Sequence, residues 1–208
     1  MEVSVSFLKE GNYKEYIDRI NKSTADYIHF DVMDGKFVSN KNLSVTELGK
    51  YLDLSNKKND VHLMVSNPQK YIDKLSLYNV EYITVHAEIK NVVEYLDKIN
   101  SLGIKSGIAI NPETPVEEIY SLLPKVKLVL VMGVHPGKSG QEFISNTSEK
   151  ISKLKEEIIK QNLNVKVSVD GGIKEEVLEE IKETDILVSA SYLLDNLDSI
   201  DQIKDIYK

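Results

Sequence analysis

Eight short apolar runs, each followed by a polar stretch of helical period, constrain the fold of this chain more than any other feature. The intervening stretches, such as YKEYIDRINKS, PVEEIYSLLPK (residues 115–125) and KISKLKEEIIKQN, place apolar residues three or four apart among polar ones and predict helices. Strands that alternate with helices favour a parallel sheet. The predicted strands lie near Val3–Phe7, Tyr27–Val32, Val61–Val65, Tyr82–His86, Ser106–Ile110, Leu128–Gly133, Lys166–Asp170 and Ile186–Ser189.

The length of the chain indicates how such a sheet closes. Its 208 residues leave 26 for each of eight units, which is enough for a strand, a helix and short loops. No linker, repeat or low-complexity tract divides the chain. We therefore predict an α/β fold, a (β/α)8 TIM barrel that forms a single domain over residues 1–208. A doubly wound open sheet is the alternative that periodicity alone leaves open.

Composition excludes several functional classes. The net charge of −7 argues against non-specific binding to nucleic acid or to anionic membranes, because both need clustered lysines and arginines. The absence of cysteine excludes disulfides, thiolate metal ligands and cysteine nucleophiles. The N-terminus has no signal-peptide pattern, and no apolar run approaches the ~20 residues of a membrane-spanning helix. We expect a soluble, cytoplasmic protein.

The stretch HFDVMDG, residues 29–35, places charged side chains in a strand that otherwise reads as buried. His29 and Asp31 are two residues apart and so point to one side of the strand. His62 comes from the next strand and Asp170 from the end of the seventh. Two imidazoles and two carboxylates at the carboxyl end of a barrel suit a divalent cation such as Zn²⁺, Fe²⁺, Mn²⁺ or Co²⁺. The alternative is that these groups are hydrogen-bonded structural residues.

The other two histidines also follow predicted strands. His86 ends the fourth strand, where we expect a supporting or structural role, and His135 follows the sixth. Three methionines lie at strand ends as well, and they are either core residues or an apolar floor that keeps water from a reactive intermediate. These are Met33, Met64 and Met132.

Three glycine- and serine-containing loops follow the last three strands: HPGKSGQEF, DGGIKEE and SASYLL. The last loops of a barrel commonly bind phosphate through backbone N–H groups. Gly171 and Gly172 allow close approach of the backbone, and Ser191 adds a hydroxyl. Together the loops favour a phosphorylated substrate, with residues 136–140 as a mobile lid.

Several of these segments, in this order and spacing, resemble the ribulose-phosphate 3-epimerase family. They are HFDVMDGKFVSN, DVHLMVSNPQKYI, ITVHAE, INPETPVEEI, VLVMGVHPGKSGQEFI and VSVDGGI. The resemblance covers nearly the whole chain. It implies a (β/α)8 barrel that epimerises a ketose phosphate at C3, D-ribulose 5-phosphate to D-xylulose 5-phosphate in the pentose phosphate pathway. It also implies a homo-oligomer.

The resemblance further assigns roles to residues. One divalent metal ion per subunit (Zn, Fe, Mn or Co) would be bound by His29, Asp31, His62 and Asp170. Asp31 and Asp170 would also be the paired acid and base, because one carboxylate cannot easily serve both faces of C3. The substrate and its phosphate would contact Ser6, His62, Gly137, Lys138, Ser139, Gly140, Gly171, Gly172, Ala190 and Ser191.

Five positions depart from the family pattern: His135, Lys138, Ser139, Ala190, and Ser39 of FVSN, where FVPN is usual. HPGKSGQ stands where NPGFGGQ is usual, so that Lys138 and Ser139 replace phenylalanine and glycine, and Ala190 stands where glycine is usual. These changes leave open another ketose phosphate such as D-allulose 6-phosphate, or a barrel that binds sugar phosphate without turnover. The related decarboxylases use a D-x-K-x-x-D cluster, whose lysine is absent from DVMDG.

Overall fold

The computed structural model describes residues 1–8 and 11–206. Eight parallel strands pair in chain order, and the eighth pairs with the first, so that the sheet is a closed barrel. The predicted (β/α)8 barrel is therefore confirmed, and the open sheet is excluded. The strands are β1 Glu2–Ser6, β2 Tyr27–Met33, β3 Lys58–Met64, β4 Tyr82–His86, β5 Lys105–Ile110, β6 Leu128–Met132, β7 Lys166–Asp170 and β8 Ile186–Ser189.

Helices cover the outside of this barrel. The α-helices are α1 Tyr13–Lys22, α2 Val45–Leu52, α3 Gln69–Leu75, α4 Val92–Ser101, α5 Thr147–Lys160, α6 Ser191–Asp195 and α7 Ile200–Ile206. Shorter turns of 3-10 helix span Val116–Lys125, Glu175–Val177, Glu179–Ile181 and Leu197–Ser199. None of the helices in the described residues is both long enough and apolar enough to cross a membrane.

Local sequence explains where these helices begin. Asn12 caps α1 by accepting a hydrogen bond from the backbone of Glu15. Ser44 and Glu47 form a reciprocal capping box at the start of α2, which satisfies two backbone donors that the first turn leaves free. The helix over 115–125, which we predicted from its apolar spacing, is instead a 3-10 helix. Proline stands at its N-cap and again inside it at Pro124, where an α-helix would lose a hydrogen bond.

The N-terminal end of the barrel is closed by a small layer of side chains. Tyr27, Tyr82, Leu128 and Ile186 are each the first residue of an even-numbered strand, and together they form a separate buried cluster. Tyr27 and Tyr82 have ring centroids 6.0 Å apart although β2 and β4 are not neighbours, so their rings meet inside the barrel. This layer of four from alternate strands is typical of the fold and leaves the carboxyl end free for a site.

Candidate metal and sugar-phosphate site

The four residues predicted to bind metal converge at one place in the barrel. His29, Asp31, His62 and Asp170 each offer one ligand atom, and these atoms all lie within 4.8 Å of one another. The strand register brings them together, since Asp31 lies beside His62 in the β2–β3 pair. Asp170, the last residue of β7, comes from the other side of β1 and β8. One correction concerns β2: it continues to Met33, so His29 and Asp31 lie within the strand and not at its end.

The His29 ring is held by a buried carboxylate that the sequence analysis did not identify. Its Nδ1 lies 2.7 Å from Oδ2 of Asp60, the residue beside His29 in the β2–β3 register. A carboxylate at this distance accepts a hydrogen bond from Nδ1–H, so that the neutral ring has its lone pair on Nε2. That Nε2 atom is buried and makes no hydrogen bond within the described residues. A buried imidazole nitrogen of this kind, which lies 3.4 Å from Asp31 Oδ1 and near Asp170, is suited to a cation.

The two carboxyl groups of the site differ in electrostatic environment. Burial alone would raise the pKa of Asp31, but His29 and His62 stabilise its charge and lower the pKa well below the usual range. Ser6 adds a hydrogen bond of 2.7 Å to Asp31 Oδ2. Burial raises the pKa of Asp170 to about 7, and the nearby charge of Asp31 adds to the shift. Two carboxylates this close cannot both ionise easily without positive charge, which a divalent cation would supply.

His62 is connected to a chain of polar groups that leads away from the site. Its Nδ1 lies 3.1 Å from Asp31 Oδ1, and its Nε2 lies 2.9 Å from Nε2 of His86. His86 Nδ1 lies 3.1 Å from Oε2 of Glu88. Burial lowers the pKa of His86 to about 4. Burial would raise the pKa of Glu88, but hydrogen bonds from His86, the Asn111 backbone and others lower it to about 2.

A cavity of about 50 Å³ lies beside the four side chains and opens to solvent. Asp31 and Asp170 lie in its wall, and Met64 and Met132 line it as the predicted floor. Met33 is buried but is not part of this lining. The predicted phosphate residues in the lining are Gly137, Lys138, Ser139, Gly140, Gly171, Gly172, Ala190 and Ser191. Ser6 lines a smaller adjoining pocket with His29 and Asp31, and His62 lies below both pockets.

Glycine is required at two of these positions. Gly171 and Gly172 have φ of +99° and +71°, which L side chains rarely adopt. A Cβ atom on Gly171 would lie 2.3 Å from Val134, and one on Gly172 would lie 2.6 Å from the backbone of Phe143. Gly171 therefore packs against the Val134 side chain and Gly172 against the Phe143 backbone, so that the loops after β6 and β7 lie in close contact.

The lid, residues 136–140, is held in place by side chains from two loops. Gln141 donates hydrogen bonds to the carbonyl oxygens of His135 and Lys138. Asn40, in the loop after β2, donates to the carbonyl of Gly137 at 2.8 Å. His135 lies 2.5 Å from Glu113 in the loop after β5, so this histidine lies beside the predicted lid and is not part of the candidate metal cluster.

Four residues that hydrogen-bond the predicted site residues or their neighbours were not identified from the sequence: Asp60, Glu88, Gln141 and Asn40. Asp60 stands two residues before His62 in DVH, as His29 stands two residues before Asp31, and this repeated spacing was a usable signal. Glu88 stands two residues after His86 in HAE. Nothing in the sequence indicates that Gln141 and Asn40 bind the lid.

The sequence matches the model of the ribulose-phosphate 3-epimerase family over residues 2–194. The ribulose-phosphate 3-epimerase of Helicobacter pylori is 38% identical over 179 residues, which is 85% of this chain and 82% of that protein. The enzyme of the same name from Methanocaldococcus jannaschii is 37% identical over 184 residues, or 87% of this chain and 78% of that one.

Solved structures with the same architecture are more distant in sequence. Mycobacterium tuberculosis tryptophan synthase superposes with a TM-score of 0.68 at 11% identity, over 99% of this chain and 91% of that chain. N-(5'-phosphoribosyl)anthranilate isomerase of Pyrococcus furiosus gives 0.62 at 15% identity and covers 99% of both chains. At these identities the superpositions establish the barrel alone. The sequence matches go further, and by them this chain belongs to the ribulose-phosphate 3-epimerase family, whose members are carbohydrate epimerases.

Proposed function

We propose that this protein is a metal-dependent epimerase that inverts C3 of D-ribulose 5-phosphate to give D-xylulose 5-phosphate. The observation that carries the proposal is the convergence of Asp31 and Asp170 with two histidines below a cavity rimmed by glycine loops. Family membership and the names of the relatives support the substrate. We extend the proposal to a homo-oligomer in the cytoplasm, as the family resemblance implies.

The donor set fits a divalent cation. His29 Nε2 is buried without a hydrogen bond among the described residues, and the other donors are His62 and the carboxylates of Asp31 and Asp170. Mixed imidazole and carboxylate ligands suit Zn²⁺, Fe²⁺, Mn²⁺ or Co²⁺, and we propose one such ion per subunit. When bound, the ion would supply positive charge that stabilises the negative charge developed by the substrate oxygens.

The two aspartates would carry out the proton transfers. One carboxylate takes the proton from C3, and the electrons of the broken C–H bond form the enediolate double bond between C2 and C3. The other carboxylic acid then delivers a proton to the opposite face of C3, which reforms the ketone with inverted configuration. The pKa shifts of Asp31 and Asp170 run in opposite directions, so Asp170 holds a proton more readily than Asp31 does.

The rest of the site would position the substrate. Ser6 holds Asp31 by the 2.7 Å hydrogen bond. Met64 and Met132 would pack against the flat intermediate and exclude water from it. The main chain of Gly171 and Gly172, with Ser191, Lys138 and the lid, would bind the phosphate.

The experiment is an epimerase assay on the Zn²⁺-loaded protein with D-ribulose 5-phosphate, in D₂O, with D-allulose 6-phosphate as the comparison substrate. We expect deuterium at C3 and faster turnover of ribulose 5-phosphate. Asp31→Asn and Asp170→Asn should each lower kcat by about 10²–10⁴-fold. Asp73→Asn, which changes an exposed carboxylate on α3, is the matched control and should not change kcat.

Zinc content and circular dichroism measured on each variant separate lost chemistry from lost metal or lost fold. Wild-type rates in Asp31→Asn or Asp170→Asn would refute the two-carboxylate mechanism. If the metal-loaded protein exchanges the C3 hydrogen of neither sugar, the epimerase proposal is wrong. The alternative, a barrel that binds sugar phosphate without turnover, is then favoured. Faster turnover of allulose 6-phosphate would refute the substrate assignment.

A further inference from the structure

A line of hydrogen bonds runs from the candidate ligand His62 to the loop after β5. Its members are His62, His86 and Glu88, and the contacts are 2.9 Å between the two Nε2 atoms and 3.1 Å from His86 Nδ1 to Glu88 Oε2. Both rings are fully buried, and Phe37 covers His86 with ring centroids 4.5 Å apart. Water therefore does not substitute for either partner in the contact between the two rings, whereas Glu88, at the far end of the line, is exposed.

The far end of the line is fixed as an acceptor. Oε1 of Glu88 accepts from the backbone N–H of Asn111 at 2.8 Å and from the hydroxyl of Thr114 at 2.5 Å. The loop that supplies these donors is itself tied by Lys150, whose amine donates to the carbonyl oxygens of Asn111, Pro112 and Thr114. With two donors on Oε1, the carboxylate presents Oε2 to His86 as a second acceptor.

Donor and acceptor matching then dictates the tautomer of each ring. Oε2 of Glu88 accepts a hydrogen bond from Nδ1–H of His86. The neutral His86 ring then has its lone pair on Nε2. That lone pair can be matched only by a proton on His62 Nε2. A neutral His62 protonated on Nε2 carries its lone pair on Nδ1, which lies 3.1 Å from Asp31 Oδ1. In this state two acceptors face each other at the cluster, and a cation between them would satisfy both.

We propose that Glu88 and His86 are positioning residues that hold His62 with its Nδ1 lone pair directed at the cation. The proposal rests on the metal-dependent function proposed above, and it deepens that function because neither residue reaches the substrate cavity lining. Outer partners of this kind typically change metal affinity by about 10–100-fold when they are removed.

Glu88→Gln tests the proposal with almost no change in shape. The backbone N–H of Asn111 can only donate, so the new amide must turn its oxygen to Asn111 and its NH₂ to His86 Nδ1. The His86 proton then moves to Nε2, where it faces His62, and the His62 proton moves to Nδ1, where it opposes a cation. We expect Zn²⁺ affinity, measured by competition with a chromophoric chelator, to fall about 10–100-fold.

A spectroscopic readout separates positioning from a general structural role. ¹⁵N-labelled histidine side chains, observed by NMR in the zinc-loaded protein, should show His62 protonated on Nε2 in the unaltered chain. In Glu88→Gln that signature should be lost. The matched control is Glu113→Gln, which changes an exposed carboxylate that also lies against a histidine, His135, and leaves His62 untouched. It should keep both the zinc affinity and the His62 signature.

A second pair of variants applies if Glu88→Gln does not fold. His86→Gln keeps an acceptor that can reach His62 Nε2–H, whereas His86→Leu removes it. Zinc affinity near that of the unaltered protein in His86→Gln and about 10–100-fold weaker in His86→Leu is the expected result. Equal affinities in this pair, or an unchanged affinity and signature in Glu88→Gln, would overturn the proposal.

The same measurements distinguish this inference from the proposed function. If the unaltered protein epimerises the sugar and Glu88→Gln binds zinc as tightly, the positioning role alone is wrong. If the unaltered protein shows the expected zinc affinities and tautomers but no turnover, the proposed function is wrong and the positioning role stands.

Discussion

Replacing Gly137 with alanine tests whether the lid must dock on the loop after β2. Gly137 has φ of +105°, and a Cβ atom there would lie 2.9 Å from Cβ of Val38 and 3.2 Å from its Cγ1. The neighbouring Asn40 donates its hydrogen bond to the Gly137 carbonyl from the same loop. An alanine must therefore break the docked arrangement or accept both the backbone strain and the contact.

The magnitude follows from the backbone alone. A non-glycine residue in a sparsely populated backbone region costs about 1–3 kcal/mol, and each 1.4 kcal/mol is a factor of ten in population. The docked lid should therefore be depleted by about 5–150-fold, before the contact with Val38 is counted. If the sugar phosphate binds only the docked lid, its apparent affinity falls in proportion to the fraction of protein with a docked lid. KM therefore rises by up to the same factor of about 5–150.

The assay is steady-state epimerase kinetics together with zinc competition. Gly137→Ala should raise KM by about 5–150-fold, while the zinc Kd stays constant because Gly137 is not one of the four candidate ligands. Gly103→Ala is the matched control, since Gly103 has φ of +76° but no atom within 4 Å of an added Cβ. It should lower stability by about 1–2 kcal/mol and leave KM unchanged. An unchanged KM in Gly137→Ala would refute the docking argument.

Three further predictions concern other parts of the chain. Asp60→Asn removes the charged partner of His29 and should weaken zinc binding by about 10–100-fold in the same competition assay; an unchanged Kd would contradict this. Leu96→Ala, at a fully buried position on α4, should lower the free energy of unfolding in urea by about 2–5 kcal/mol, whereas the 71% exposed Leu77 should tolerate alanine within about 0.5 kcal/mol. Hydrogen bonds from the backbone of Phe37 and others lower the pKa of Asp34 to about 2 although partial burial opposes the shift. Because the folded pKa is depressed, Asp34 contributes stability above the unfolded pKa near 4, and this is lost as the pH falls toward 2. Asp34→Asn should thus cost about 1 kcal/mol at pH 7 and little at pH 2, and a cost that does not vary with pH would refute this.

The fold and the four candidate ligands could be predicted because both depend on local pattern. Strands β4, β7 and β8 have the predicted bounds, since each apolar run there ends in a polar residue or a turn. The other strands were placed within a few residues, with β3 beginning three residues earlier than predicted, because its first residues are polar. His29, Asp31, His62 and Asp170 were noticeable because charged groups are rare among buried apolar residues.

The supporting residues could not be predicted in the same way, because their roles depend on contacts between strands. Asp60 meets His29 through the β2–β3 register, which a one-dimensional period does not specify. Glu88 reaches His86 from a loop position that reads as an exposed acidic residue. The segment 116–125 is a 3-10 helix and not the predicted α-helix because of its prolines. In predicting it from the sequence, we gave more weight to the apolar spacing of this segment than to those prolines.

The interior of the barrel is divided into a polar side and an apolar side, and the division has a consequence for catalysis. Ala109, Leu130, Met132 and Val188, from β5, β6 and β8, form a buried apolar cluster across from the histidines and aspartates of β2 and β3. Asp170 of β7, which lies between β6 and β8, is the charged exception. A buried charge costs several kcal/mol unless it is paired, and every charged group of the polar side has a hydrogen-bond partner or belongs to the candidate cation site. The apolar side keeps the local dielectric low, which strengthens the interactions between the carboxyl groups, the cation and a developing enediolate. Replacing Leu130 with a polar residue would therefore weaken catalysis by admitting water even though Leu130 touches none of the four ligands.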